Sequence, residues 1–181
     1  LAYKWLMYDS ITHIPLMIRT PDSVDNPSET DDLISLMDLG PTILEAAGVK
    51  VPAYLEGRSL MPYLQGEEIT PRQYVFCEDN YQIMMRSDTH KIVYYIGQSE
   101  GEFYDLAEDP GELWNLWDKP EQAEVKNKML IDLLEWMATS NYYNAGYKRQ
   151  RSKQYGMRWP TEGDAYLHGR KARPQPRMVD L

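Results

Sequence analysis

The hydrophobic pattern of this chain changes period along its length, and each change marks an element. From Ile14 to Ile18 every position is apolar (Ile14-Pro15-Leu16-Met17-Ile18). That is how a strand buried on both faces of a helix-covered parallel sheet reads. Pro15 is tolerated because a strand's first residues need not donate to the ladder. Residues 20–32 are polar and carry Pro21 and Pro27, hence a surface loop. Asp38 is placed to cap a helix, with Pro41 in its first turn, an apolar stripe of Ile43, Leu44, Ala46 and Ala47, and Gly48 as a left-handed stop.

Beyond Pro71 the pattern shifts to short segments rich in β-branched and aromatic residues. Tyr74–Glu78, Gln82–Arg86, Lys91–Ile96 and Glu102–Leu106 are separated by turn-like stretches at Asp79-Asn80, Ser87-Asp88 and Gly97–Gly101. This predicts a four-stranded antiparallel meander. Asp109-Pro110-Gly111 is a turn. A helix is then expected from about Pro120 to Ala138, its apolar face made by Val125, Met129, Leu130, Leu133, Leu134 and Met137. From Asn141 the apolar periodicity disappears. Three prolines and five tyrosines in this tail predict an irregular arm, ordered by lying on something larger.

Charge sharpens that picture. The 181 residues carry a net −9, but the tail from Asn141 holds nine Lys/Arg against three acids, so it is +6 and residues 1–140 are −15. Opposite signs suggest that the arm meets something acidic, either the chain's own body or a separate partner. No apolar run approaches the ~20 residues that span a bilayer. The single cysteine, Cys77, allows no internal disulfide. Cys77 lies in a predicted strand without a nearby base, so it reads as a small buried hydrophobe. His13, His90 and His168 are far apart, and none has a second ligand at metal spacing. There is no Gly-rich phosphate loop. By themselves the residues describe an acidic α/β piece with an antiparallel sheet and a basic arm.

Five stretches carry a resemblance beyond that. They are Lys4 followed by Tyr8-Asp9, the Ile14-Pro15-Leu16 strand, Leu36-Met37-Asp38-Leu39-Gly40-Pro41-Thr42, Gly57-Arg58-Ser59-Leu60, and Tyr104-Asp105-Leu106-Ala107-Glu108-Asp109-Pro110-Gly111-Glu112-Leu113-Trp114-Asn115-Leu116. In this order and spacing, residues 1–138 resemble the C-terminal portion of a sulfatase of the arylsulfatase-like, alkaline-phosphatase superfamily. The resemblance implies an α/β fold. Residues 1–70 would be the C-terminal part of the catalytic α/β domain, residues 71–140 a small four-stranded antiparallel sheet packed by a C-terminal helix, and residues 141–181 the basic arm. Because residue 1 is Leu, a processed, cleaved or truncated chain is expected.

The resemblance implies sulfate-ester hydrolysis by a formylglycine beside Ca²⁺, with that residue and the metal ligands expected upstream. The isolated chain is therefore expected to be inactive. It implies that Lys4 contacts the sulfate oxygens, where a fixed cation stabilises developing charge. His13 stands where many relatives carry Arg and could face the site's rim or cap the strand. Arg86, in a pattern with His90-Lys91 that resembles the family's Arg-x-x-x-x-Lys, could reach the cleft or lie on a solvated sheet face. Both are candidate substrate-binding residues. The expected partners are a sulfated small molecule or polysaccharide and the missing N-terminal part of the enzyme, not nucleic acid or membrane. A homo-oligomer stays open, and a periplasmic or extracellular location is favoured. Two rivals stand beside this: a phosphonate or phosphate ester hydrolase of the same superfamily, and a non-catalytic binding or assembly module. Half of a buried sheet would expose apolar surface and predict association.

Overall fold

The computed structural model describes residues 6–21, 28–67 and 69–144, with side chains to residue 140. Lys4 and the side chains of the basic arm lie outside the described residues.

The element order is α1 (Asp9–Thr12), a 3-10 turn (Leu36–Asp38), α2 (Leu39–Ala46), α3 (Met61–Leu64), β1 (Val75–Glu78), β2 (Gln82–Arg86), β3 (His90–Tyr95), β4 (Gly101–Asp105), a 3-10 turn (Pro120–Gln122) and α4 (Ala123–Asn144). Two compact units interleave along the chain. The first joins residues up to Ser35 with Pro62–Leu130, and the second joins Leu36–Met61 with residues from Ile131 onward.

The sheet of the first unit is the expected meander, in order β1-β2-β3-β4, every pair antiparallel. Its register sets Cys77 opposite Met84, Arg86 opposite Lys91, and Lys91 opposite Tyr104. Side chains alternate across a strand, so Cys77, Met84, Arg86, Lys91, Val93, Tyr95 and Tyr104 share one face. Phe76, Met85, His90, Ile92 and Phe103 share the other. Ile83, Met84 and Met85 are all buried in succession. The middle of this sheet is therefore covered on both sides, which is uncommon for a small antiparallel sheet.

On the first face Met7 packs with Met84 and Val93, flanked by Cys77 and Tyr95. On the second, the His90 and Phe103 rings stack with centroids 5.6 Å apart. At the start of β4, a Cβ on Gly101 would come 2.6 Å from the Trp117 ring and from Val93 O. Glycine there is what lets Trp117 lie against the strand. The Lys126 ammonium lies over that ring, 4.6 Å from its centroid. Met129, also buried, shares a cavity of about 350 Å³ with Tyr74, Thr89 and His90.

The free edge of β4 is closed by Asn115 and Leu116. Asn115 Oδ1 accepts from Phe103 N at 3.1 Å, its Nδ2 donates to Gly101 O at 2.9 Å, and Leu116 N donates to Phe103 O at 2.8 Å. A side-chain amide thus pairs the strand edge as a fifth strand's backbone would.

In the second unit, Asp38 is 1% exposed but does not cap α2 with its side chain. Its Oδ1 instead accepts from Arg58 N at 2.7 Å. Thr42 Oγ1 donates to Asp38 O and accepts from Leu60 N. The expected N-cap is therefore a clamp on the Gly57–Leu60 turn. Asp38 has helical backbone angles, whereas a capping side chain needs an extended Ncap residue. Gly57 sits so near Met37 that a Cβ would fall 2.0 Å from Met37 O. Gly48, at φ +70°, ends α2 as anticipated.

Other expectations need correction. Residues 14–18 form no strand, and Ile14, Leu16 and Met17 are exposed. A parallel strand needs neighbours along its edges, and among the described residues no strand runs beside it. The final helix starts with a 3-10 turn at Pro120 and runs six residues beyond Ala138. Its buried stripe narrows to Met129 and Leu133, while Val125 and Leu134 are exposed. No helix among the described residues is long and apolar enough to cross a membrane.

Candidate functional site

A tight hairpin turn builds the site. Ser87 N donates to His90 O at 2.8 Å, and Ser87 Oγ accepts from the N–H groups of His90 and Thr89. This turn brings the last residue of β2, Arg86, opposite the second residue of β3, Lys91. Two cations on one face of adjacent strands repel. Lys91 is also fully buried, a state lysine rarely tolerates without partners.

Two carboxylates from distant parts of the chain answer that charge. Lys91 Nζ bonds Asp9 Oδ1, donates to Met7 O at 3.0 Å, and forms an ion pair with Glu112 Oε1 at 2.6 Å. Arg86 Nε reaches Asp9 Oδ2 at 3.2 Å, and its Nη1 donates to Ser87 O at 3.1 Å. Glu112 turns its other oxygen, Oε2, to accept from Asp9 N at 2.6 Å. The ammonium therefore meets three oxygens, Met7 O and Asp9 Oδ1 by hydrogen bonds and Glu112 Oε1 by charge. The cluster of two cations and two anions is neutral.

Local structure aims each carboxylate. Asp9 is the first residue of α1, where its N–H has no helical partner and is left for Glu112. Glu112 follows the Asp109 turn, in which Glu112 N donates to Asp109 O and Trp114 N to Asp109 Oδ2. Its φ of +55° places a non-glycine residue in the left-handed region. That conformation costs of order 1 kcal/mol and persists only where surroundings enforce it. Here the enforcing contact is the buried carboxylate on Lys91 and Asp9 N.

Burial pushes the Asp9 carboxyl up. The Lys91 ammonium and the Arg86 guanidinium outweigh that, and hold it below the usual carboxylate range. Beside the cluster, Tyr8 and Tyr104 rings lie 6.2 Å apart. Burial, then the hydrogen bond with Tyr8, raises the Tyr104 phenol. Burial, then the nearby Asp79 and Glu78, raises the Cys77 thiol, so it stays protonated and suits its place in the core cluster.

The expected site residues fall as follows. Lys4 lies outside the described residues. His13 is exposed and follows α1, its N–H donating to Asp9 O at 2.9 Å. Arg86 belongs to the ion cluster. His13 and Arg86 thus both touch Asp9, one through its backbone and one through its side chain. The sequence pattern did not single out Asp9, Lys91 and Glu112 as one cluster. A charged residue alternating into a strand whose neighbours on that face are buried was the available signal for Lys91. Among the described residues, no group of three or more His, Cys, Asp or Glu is arranged to hold a metal ion. The carboxylates of the cluster are already committed to Lys91 and Arg86, so they do not fit Ca²⁺.

The family model for the C-terminal region of N-sulphoglucosamine sulphohydrolase matches residues 2–139. The chain belongs to this sulfatase C-terminal family. The match covers the same stretch as the motifs from Lys4 to Leu116. The described residues of this family member form a four-stranded antiparallel sheet followed by a C-terminal helix. Among curated relatives, an N-acetylglucosamine-6-O-sulfatase from Bacteroides thetaiotaomicron is 33% identical over 147 residues, covering 73% of this chain and 26% of its own. Arylsulfatase K from Xenopus laevis is 30% identical over 162 residues, covering 78% of this chain and 30% of its own. A solved structure in complex with its substrate D-glucosamine-2-N,6-O-disulfate is 32% identical, with TM-score 0.48 over 60% of this chain and 24% of that one. The sulfatase C-terminal chain thus spans about a quarter to a third of the length of these relatives.

Proposed function

We propose that the complete protein is a sulfatase that hydrolyses sulfate esters on sugars, and that this chain supplies its C-terminal portion. The observation that carries this is the family match over residues 2–139. The sugar preference rests on relatives named for N-acetylglucosamine 6-sulfate and glucosamine disulfate. Lys4 supplies a point charge for the sulfate oxygens. As negative charge grows on the transferring group and the leaving oxygen, a pre-placed cation lowers the barrier. His13 and Arg86 are proposed at the substrate side of this element. Arg86 Nε and Nη1 already hold Asp9 and Ser87, so a sulfate or hydroxyl would meet it through Nη2. A formylglycine nucleophile and Ca²⁺, when present, would supply the attacking oxygen and charge neutralisation from the part of the enzyme that precedes these residues.

Residues 1–70 then belong with the catalytic domain, 71–140 form the C-terminal domain, and the arm of 141–181 docks on acidic protein surface. A periplasmic or extracellular location suits the substrate. The purified chain alone should be inactive, because one lysine replaces neither nucleophile nor metal.

The decisive experiment assays the complete enzyme on N-acetylglucosamine 6-sulfate, an aryl sulfate and an aryl phosphonate ester. Sulfate esters should be turned over, and Lys4→Ala should lower kcat/KM by roughly 10²–10³. Preferential turnover of the phosphonate would favour the phosphonate hydrolase reading. Wild-type kinetics in Lys4→Ala would remove Lys4 from the site.

A further inference from the structure

The sulfatase reading gives Lys4 its role but says nothing of what holds the segment that carries it. We infer that Lys91, clamped between Asp9 and Glu112, is a positioning residue: it registers residues 7–9, which follow Lys4 in the sequence, on the antiparallel sheet and makes catalysis depend on that sheet. The inference rests on the proposed sulfatase function.

Three observations carry it. Two of Lys91's three oxygen partners lie on residues 7–9, Met7 O and Asp9 Oδ1, and the third, on Glu112, belongs to a carboxylate that itself accepts from Asp9 N. The contacts bridge 82 to 103 positions of sequence, so they fix a tertiary register rather than a local turn. Lys4 lies three residues before Met7, and three peptide links extend at most about 11 Å. Met7 and Asp9, three and five positions after Lys4 in the sequence, are thus held on the sheet.

The choice of charged groups is itself informative. Met7, Met84 and Val93 already join the segment to the sheet through apolar contact. Apolar packing tolerates a shifted register, because methionine adapts to irregular gaps. A buried ammonium with three oxygen partners does not, since any slip leaves a charge unpaired in a dry site. Buried ionic groups serve such registration in other folds. The strained φ of Glu112 is explained in the same way: its backbone is held where the carboxylate can reach both Lys91 and Asp9 N.

The test uses the complete enzyme with Lys91→Met, which keeps the side chain's length and removes its donors, and Asp9→Asn, which leaves Lys91 its Glu112 and Met7 partners. Hydrogen exchange at residues 7–9 is read beside steady-state kinetics on N-acetylglucosamine 6-sulfate. Lys91→Met should raise exchange at the Asp9 amide by at least tenfold. It should also lower kcat by about 10–100-fold with KM changed less than threefold, because a displaced Lys4 loses stabilisation that appears only in the transition state. Asp9→Asn should move both readouts in the same direction by a smaller factor. If Lys91→Met does not fold, Asp9→Asn decides alone. Unchanged exchange overturns the tether. Faster exchange with unchanged kcat per folded molecule overturns its positioning role and leaves a structural ion cluster. If the wild-type enzyme turns over no sulfate ester, the sulfatase reading fails, while the exchange measurement still decides the tether.

Discussion

The two faces of the four-stranded sheet are both buried, yet they solve burial by different chemistry. One face carries Met85, Ile92 and Phe103, each no more than marginally exposed, with Trp117 against β4. The other mixes Met84 and Val93 with Lys91 and the half-buried Arg86, answered by Asp9 and Glu112. The apolar face gains from area alone and accepts many arrangements of similar volume. The charged face gains little net stability from its ion pairs, because desolvation consumes most of the attraction. What it gains is register. The comparison teaches that the stabilising face and the specifying face of one sheet are separate, and that the specifying face is the one that holds Met7 and Asp9.

Phe103→Ala should produce the largest loss. The side chain is fully buried, so about 3–5 kcal/mol is expected. Urea denaturation measures it. A loss below ~1 kcal/mol would mean that the second face is loosely packed and that the contrast between the faces is false.

Lys91→Met should cost about 3 kcal/mol, because Asp9 and Glu112 would lose their cation while staying close to each other. The double variant Lys91→Met, Glu112→Gln, which keeps the Asp9–Arg86 pair, should recover most of that loss, to within about 1 kcal/mol of wild type. No such recovery is available to Phe103→Ala, since no partner charge is stranded. Equal costs for the single and double variants would show that Lys91 contributes by packing its aliphatic stem, as any core residue does.

Asn115→Ala should cost about 1 kcal/mol by removing the amide that pairs Phe103 N and Gly101 O at the partly solvated edge of β4. The same variant should favour association through the opened edge. Sedimentation beside thermal unfolding checks both, and a monomer of wild-type stability would assign edge protection to Leu116 alone.

Much of this architecture was legible in the residues, for reasons that can be named. The meander was visible because turn residues at Asp79-Asn80, Ser87-Asp88 and Gly97–Gly101 punctuate β-rich segments, a local signal. The strand starting at Ile14 was not realised: a buried parallel strand is defined by neighbours, and none of the described residues supplies them. Asp38 read as a cap because capping is local, whereas its clamp on Arg58 N spans 20 residues. The ion cluster was the least legible part. Asp9, Lys91 and Glu112 each look like an ordinary charged surface residue, and only the register of β2 on β3 and the turn after β4 bring them together. The family motif contains Asp9 and Glu112 but does not show that they meet. Asn115 was visible only as a motif letter, although its edge-pairing role follows from its distance to β4 once the turn at Asp109 is formed.

Acid should have the smallest effect on the comparison, and it should act chiefly through the Asp9 cluster. The Asp9 carboxyl is raised by burial but held below its ordinary value by Lys91 and Arg86. A group whose folded-state value is depressed binds protons more readily when unfolded, so it adds stability above its unfolded value near 3.9 and loses it as pH falls through the folded one. The wild-type advantage over Asp9→Asn should therefore be full at pH 5 and above, and should shrink steadily below about pH 4. Asp79 also has a lowered carboxyl, from the Gln82 side chain and the Tyr81 amide. It is present in both proteins and cancels in their difference. Phe103→Ala leaves the Asp9 cluster in place, so its offset from wild type should change less over that range than that of Asp9→Asn. Urea midpoints between pH 6 and pH 2.5 for the three proteins test this. An Asp9→Asn offset that stays constant to pH 2.5 would show that the carboxyl is not held by the two cations, and that the two faces do not differ in the way the buried ions suggest.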